Sequence, residues 1–138
     1  MNRTVTTVRI ADRDLEVPLP EGLRPVASGP DGPALLALGA GEPPVAVATA
    51  VVTRPVGLDR SLDALHRELV DPALIDVDRT VPTALVTLLH GGIGTDVVTV
   101  QRLLEDVDVA VTVTYSWPAA TAGDHLTMLS GLAREVAW

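Results

Sequence analysis

Three histidines, His66, His90 and His125, are the side chains best suited to metal binding or proton transfer near neutral pH. They fall on a predicted helix, at the end of a predicted strand and at the start of a second predicted helix. None belongs to an HxH or HxxxH spacing, and no nearby carboxylate completes a ligand pattern. A metal site would require three separate elements to converge, so the spacing favours surface or core histidines and predicts no metal ligand.

The serines have no sequence context that would make them nucleophiles. Ser61, Ser116 and Ser130 all lack the G-x-S-x-G turn that exposes a catalytic serine, and the chain has no cysteine to replace them. A serine hydrolase is therefore disfavoured, and the sequence predicts no catalytic residue and no enzymatic activity.

Two segments have the composition of ligand-binding loops but not the spacing. Gly92–Gly94 would need a third glycine at Val97 and a helix directly after it to hold a dinucleotide, so we expect a hairpin turn there and no cofactor. A group of acidic residues lacks the order of a calcium loop and is typical of a solvated acidic face. Its members are Asp59, Asp63, Glu68, Asp71, Asp76 and Asp78.

The three aromatic residues, Tyr115, Trp117 and Trp138, are the candidate partner-binding residues. They are the only large rings in an otherwise aliphatic chain that contains no phenylalanine. Such rings either fill a core or anchor an interface, and interfaces are enriched in tryptophan and tyrosine. The alignment of Tyr115 with a row of valines favours the core for that residue, while both roles stay open for Trp117 and Trp138.

Composition limits the possible functions. The chain has 138 residues, enough for a single domain spanning residues 1–138, and 47% of them are hydrophobic. Its formal charge of −8 would repel nucleic acid and anionic membrane surfaces. The absence of cysteine removes any need for an oxidising compartment, so we expect a cytoplasmic protein.

The chain shows no sequence pattern for membrane insertion. The amino-terminal residues alternate in polarity where a signal peptide would need an unbroken apolar stretch. The longest uncharged run, Thr80 to Thr95, is interrupted by Pro82 and by Gly91, Gly92 and Gly94, and it is too short for a membrane-spanning helix. We therefore expect a soluble protein without an export signal.

The amino-terminal half of the chain has the period-two pattern of strands. Thr6 to Ile10 and Leu15 to Leu19 flank the turn residues Asp12 and Arg13 and predict a hairpin. A Pro- and Gly-rich loop, Glu21 to Pro33, follows it. Ala34 to Leu38 and Val45 to Thr53 then predict two more strands, the second apolar on both faces and so covered on both sides.

The carboxyl-terminal half contains two predicted helices around three strands. Leucines at helical spacing predict the first helix over Ser61 to Val70, and an acidic bend at Asp76 and Asp78 follows it. Strands are predicted over Thr83 to His90, Thr95 to Leu104 and Val107 to Trp117. A last helix begins near Thr121 or Asp124. Its apolar stripe contains Leu126, Leu129, Leu132, Ala133 and Val136.

The predicted order is β-β-β-β-α-β-β-β-α, in which most connections are too short for parallel crossovers. The fold class is therefore α+β, with an antiparallel sheet of six to seven strands flanked by two α-helices. Two short helices cover only part of such a sheet. The remaining apolar surface must be hidden by long loops, by a second copy in a homodimer, or by a partner.

The segment Leu15 to Leu23 resembles the "LP-x-G-W" opening of the PsbP-like superfamily, with Leu23 where that family usually has tryptophan. The order of strands and helices also fits that superfamily over nearly the whole chain. Its members include a photosystem II subunit, LpqN-type lipoproteins and bacterial effector-associated chaperones. The resemblance implies a scaffold that binds proteins without common catalytic residues. This sequence lacks the lipoprotein cysteine.

We therefore expect a non-catalytic protein-binding module, such as a chaperone or adaptor for a secreted or membrane-associated partner. A small-ligand-binding protein or small enzyme is the alternative, with a pocket between the sheet and the last helix. That alternative predicts that two or more of His90, Asp96, Arg102 and His125 point into the pocket. A purely structural homo-oligomer is a third possibility.

Overall fold

The computed structural model describes residues 4–10, 12–27, 32–39, 46–57, 60, 75–80, 83–90, 97–106 and 108–138. Within these residues the chain forms nine strands and one helix. The strands are β1 (Thr4–Ile10), β2 (Arg13–Leu19), β3 (Arg24–Pro25), β4 (Leu35–Leu38), β5 (Val47–Thr53), β6 (Ile75–Thr80), β7 (Thr83–His90), β8 (Val97–Glu105) and β9 (Ala110–Pro118). The helix, α1, spans Ala119–Glu135.

The strands form two antiparallel sheets. Seven strands make up the main sheet in the order β3-β4-β5-β9-β8-β7-β6, and β1 and β2 pair with each other as a separate hairpin. The predicted antiparallel sheet is thus present, but the expectation of one sheet that includes the hairpin is wrong. Of the two expected flanking helices, α1 is present, and the helix predicted over Ser61 to Val70 lies outside the described residues.

Two segments predicted as irregular are edge strands of the main sheet. The predicted acidic bend at Asp76 and Asp78 is strand β6, which pairs with β7 from Ile75↔Leu88 to Thr80↔Thr83. The predicted loop from Glu21 to Pro33 contains the two-residue strand β3. In both cases pairing with a neighbouring strand outweighs the loop-like composition of the segment.

The hairpin depends on its two-residue turn. Ile10 pairs with Arg13, so that the turn holds only residues 11 and 12. Asp12 has a backbone φ of 66°. A two-residue turn that matches the twist of the strands requires positive φ, and aspartate tolerates it better than most residues do. The turn chemistry expected at Asp12 is therefore present.

One hydrophobic core lies between the main sheet, the hairpin and α1. The alternation predicted for β9 is confirmed from Val111 to Tyr115, since Val111, Val113 and Tyr115 are buried and the threonines between them are half-buried. The other members from the sheets are Val8, Ile10, Leu15, Val17, Leu19, Leu35, Ala37, Ala48, Ala50, Val100 and Leu104. The hairpin and the helix therefore cover the same side of the main sheet.

The helix packs against β8, β9 and β2 through the predicted stripe. Leu129, Leu132, Ala133 and Val136 are buried. The helix begins at Ala119, earlier than the predicted Thr121 or Asp124, because it follows Pro118 at the end of β9 directly. No helix among the described residues combines the length and the apolar character that crossing a bilayer requires.

Candidate protein-binding surface

The main sheet has two faces that differ in composition. Side chains of directly paired residues lie on the same face, so the register of β4, β5, β9 and β8 assigns each residue to a side. The core-side face carries Ala48, Ala50, Val111 and Val113. The opposite side is called the outer face here. Its members with described side chains on these four strands are Leu36, Leu38, Val47, Thr49, Val51, Thr53, Thr99, Gln101, Leu103, Glu105, Ala110, Thr112, Thr114 and Ser116.

The outer face is uncharged across its centre and bounded by charges. Of its fourteen members with described side chains on these strands, Glu105 at the end of β8 is the single ionisable one. Arg24 of β3 lies beside Leu38 at one margin of the face. Glu105 lies at the other margin, at the end of β8. An apolar and hydroxyl centre with a charged rim is the usual composition of a protein interface.

The accessibility of the outer face differs between its strands. On β8, Thr99 and Leu103 are buried, whereas on β5 Val51 is 42% exposed and Thr53 is exposed. Thr49, Thr112 and the neighbouring outer-face residues of β4 and β9 are half-buried. The prediction that β5 would be covered on both sides is therefore wrong, because Val51 on the outer face and Val52 on the core-side face are both 42% exposed at the end of this strand.

Hydrogen bonds between side chains join β8 to β9 across the outer face. The Nε2 of Gln101 donates to the Oγ1 of Thr114 over 3.3 Å. The hydroxyl oxygens of Thr99 and Ser116 lie 3.5 Å apart. These contacts hold the polar side chains of β9 in place, so the half-buried part of the face is ordered before any partner arrives.

Glu105 is fixed in position at the rim by a backbone contact. The Gly57 N–H donates to its Oε1 over 2.6 Å. Gly57 has a φ of +100°, which glycine adopts at little cost and other residues rarely adopt. Next to it Val56 is 56% exposed, so this corner places an apolar side chain beside an oriented carboxylate.

Tyr115, one of the three predicted partner-binding residues, lies in the core. Its side chain is 1% exposed, and its hydroxyl donates to the Pro18 carbonyl oxygen over 2.7 Å. Burial raises the pKa of the Tyr115 phenol well above its usual range because the phenolate would lose its hydration. The ring thus joins the main sheet to the hairpin and is not at the surface.

Trp117 and Trp138 are half-buried and pack against the core. The Arg13 guanidinium lies 4.1 Å from the centre of the Trp138 ring, and Arg13 also forms an ion pair with Asp106. These contacts place Trp138 between the hairpin and the turn before β9, on the side of the sheet opposite the outer face. A partner-binding role for either tryptophan stays a prediction.

The residues proposed for a ligand pocket are only partly described. Arg102 is half-buried and pairs with Val113, which places it on the core-side face of β8. Asp96 and the side chains of His90 and His125 lie outside the described residues, as does His66. Among the side chains that the structure describes, no three acidic or histidine groups lie close enough together to hold a metal ion.

Comparison with protein families and with curated proteins gives no match. Comparison with solved structures does. The solution structure of the PsbP protein CyanoP from Synechocystis sp. PCC 6803 matches with a TM-score of 0.61 at 10% identity, over 96% of this chain and 91% of that one. The crystal structure of LpqN from Mycobacterium tuberculosis, which is involved in cell envelope biogenesis, matches with a TM-score of 0.64 at 10% identity, over 99% and 91%. The chain has the PsbP-like fold.

The resemblance noted in the segment from Leu15 to Leu23 has a structural basis. Leu15, Val17 and Leu19 are buried in β2, and Gly22 occupies a turn with a φ of +94°. Leu23, which stands where a PsbP-like sequence usually has tryptophan, is only 7% exposed. The position is therefore part of the core, and leucine fills it in this chain.

The residues of the outer face were not singled out from the sequence. Their alternation with buried residues is visible in the β9 segment, where threonine and valine exchange at every step. What places them on one surface is the pairing of β5 with β9, which brings Thr49 beside Thr114. That pairing joins distant parts of the chain and has no local sequence signal.

Proposed function

We propose that this chain is a non-catalytic protein-binding module that receives its partner on the outer face of the main sheet. The observation that carries the proposal is an uncharged surface of leucine, valine, threonine and serine side chains that is half-exposed along β4, β5 and β9. Protein interfaces typically have an apolar centre that contains few charged residues.

The dimensions of the surface favour a protein over a small molecule. The three adjacent strands β4, β5 and β9, at spacings of about 4.8 Å, make an accessible surface roughly 10 Å wide. Small ligands bind in concave cavities that enclose most of their surface, whereas an open sheet face suits a broad partner. The net charge of −8 disfavours acidic partners, including nucleic acids.

A chaperone or adaptor for a secreted or membrane-associated protein is the specific form of this proposal. The PsbP-like fold is shared with LpqN, a protein involved in cell envelope biogenesis, and that context supports such a partner. A cytoplasmic location stays a prediction that rests on the absence of cysteine.

Site-specific photo-crosslinking in the native host tests the proposal. A photo-reactive residue at Val51 on the outer face should give a discrete adduct with one protein, and Val51→Arg should abolish co-purification of that protein. Thr127 on α1 is the matched control, because it is exposed but lies away from the outer face. Equal adducts from both positions, or none from Val51, would refute binding through the outer face.

A further inference from the structure

In each strand of the hairpin, every second residue points its backbone N–H and C=O away from the other strand. Glu16 of β2 exchanges hydrogen bonds with Ala137, over 2.8 Å from its N–H and 3.3 Å to its C=O. Glu16 is paired with Thr7 of β1. Both the N–H and the C=O of Glu16 point away from β1, so Glu16 and Thr7 form a non-hydrogen-bonded pair. Thr7 therefore also directs its N–H and C=O away from β2. The same holds for Val5 and Arg9, two residues to either side.

The edge of β2 that faces away from β1 has partners at two successive positions. The backbone N–H and C=O of Glu16 are both hydrogen-bonded to Ala137. Pro18, the next outward residue, has no N–H, and its carbonyl accepts the Tyr115 hydroxyl. This edge therefore offers few unpaired groups to another strand.

The edge of β1 is open by comparison. Val5, Thr7 and Arg9 are exposed, and within the described part of the chain nothing pairs with this side of the strand. The strand contains neither proline nor glycine, and five of its seven residues are valine or threonine. The edge strands of the main sheet differ, since β3 is two residues long and ends in Pro25, and β6 contains Asp76 and Asp78. Short length, proline and charge are the usual protections of an edge, and β1 carries none of these except the charge of Arg9.

We propose that β1 is a dimer interface that pairs antiparallel with β1 of a second copy, centred on Thr7. In this register Thr7 lies opposite Thr7 of the other copy, and Val5 lies opposite Arg9. In this register odd-numbered residues pair with odd-numbered ones and even with even. Val8 and Ile10, which face the core, therefore lie on the same side of the combined four-stranded sheet in both copies.

The charge and shape of β1 favour a second copy as the occupant. Arg9 is the only charged residue in the strand, and the proposed register places it beside Val5 rather than beside another arginine. Val5 is 53% exposed, and the aliphatic part of the arginine side chain would cover it. Arg9 keeps its ion pair with Asp14, 3.1 Å away across the hairpin. The central Thr7 pair adds a favourable cross-strand contact.

Single cysteines test the register directly, because the chain has none of its own. Thr7→Cys should form an intermolecular disulfide under mild oxidation, since a hydrogen-bonded pair has Cα atoms about 5.5 Å apart, within disulfide range. Val5→Cys is the matched control. It is also exposed and lies on the same strand, but its copies would lie roughly 13 Å apart. Efficient crosslinking of both variants, or of neither, overturns the proposal.

Sedimentation of the unoxidised protein over a concentration series gives the affinity. Thr7→Pro removes the outward N–H without touching the bonds to β2, at a position equivalent to the proline already present at Pro18. The dimer dissociation constant should rise about tenfold or more, because two hydrogen bonds are lost, while Thr7→Val should leave it nearly unchanged. A monomeric wild type, or equal behaviour of the two variants, overturns the proposal. If circular dichroism shows that Thr7→Pro is unfolded, the cysteine pair decides alone. Neither test involves the outer face, so its outcome is independent of the proposed function.

Discussion

The two faces of strands β5 and β9 are built from the same short segments and have different environments. On the core side Ala48, Ala50, Val111 and Val113 are at most 1% exposed. Between them in the sequence lie Thr49 and Thr112, which are half-buried on the outer face. At the end of β5 this difference disappears, since Val51 and Val52 are both 42% exposed. Because the side chains of a strand alternate, adjacent positions serve two distinct purposes.

The difference shows how one sheet can combine a stable core with a binding surface. The core-side face is closely packed, so the loss of a single methyl group there lowers the stability of the fold. The outer face consists of β-branched residues that favour the strand conformation whether or not a partner covers them. Its hydroxyl groups interact with each other and with Gln101, so the face does not depend on apolar contacts alone.

The largest expected effect comes from removing helical cover on the core side. Leu129 of α1 is fully buried, so Leu129→Ala should lower the free energy of unfolding by about 2–5 kcal/mol. Thr127→Ala, two residues earlier on the exposed side of the helix, should change it by less than about 0.5 kcal/mol. Urea denaturation followed by circular dichroism measures both. A cost below about 1 kcal/mol for Leu129→Ala would show that α1 does not cover the core.

A smaller effect is expected from the polar contact that ties the core-side face to the hairpin. Tyr115→Phe leaves the ring in place but removes the donor to Pro18. A buried carbonyl without a partner costs about 1–3 kcal/mol, so the variant should unfold at a lower urea concentration. An unchanged midpoint would mean that water replaces the lost hydroxyl group.

The same residue predicts how stability responds to alkaline pH. Burial raises the pKa of Tyr115 in the folded state, so its contribution is complete below the unfolded pKa of about 10 and decreases as the pH rises above it. The chain has no lysine, no cysteine and no other tyrosine, so phenolate absorbance reports this one group. Absorbance should rise together with unfolding, and Tyr115→Phe should lack this loss of stability. Phenolate absorbance that appears while the protein is folded would contradict burial of the ring.

The sequence predicts the elements whose signals are local. The alternation from Val111 to Tyr115 and the apolar spacing from Leu129 to Ala133 both lie within single elements, and the structure confirms them. The hairpin was also predicted, because Asp12 supplies the turn conformation between two alternating strands.

The features that the sequence does not predict all depend on contacts between distant segments. The hairpin separates from the main sheet because its apolar side chains pack onto the core-side face, which no local pattern records. Strand β6 looks like a bend because Asp76 and Asp78 are rare in strands, and only pairing with β7 explains it. Arg13 reaches Trp138 from the opposite end of the chain, so the role of that ring could not be chosen from sequence alone.

The most direct test of the difference between the faces exchanges valine and threonine at adjacent positions of β9. Val111 is 1% exposed and lies between Val52 and Leu104, so Val111→Thr places a hydroxyl group among apolar neighbours. Thr112→Val makes the reverse change on the half-buried outer face, between Val51 and Leu103. The two substitutions conserve shape and strand propensity, so any difference between them reflects the environment of the hydroxyl group. We expect Val111→Thr to be less stable than Thr112→Val by at least about 1 kcal/mol in urea denaturation, because a buried hydroxyl group without a good partner costs about 1–3 kcal/mol. Equal stabilities would mean that water reaches the two faces to the same extent, which would contradict the assignment of the outer face as the accessible surface.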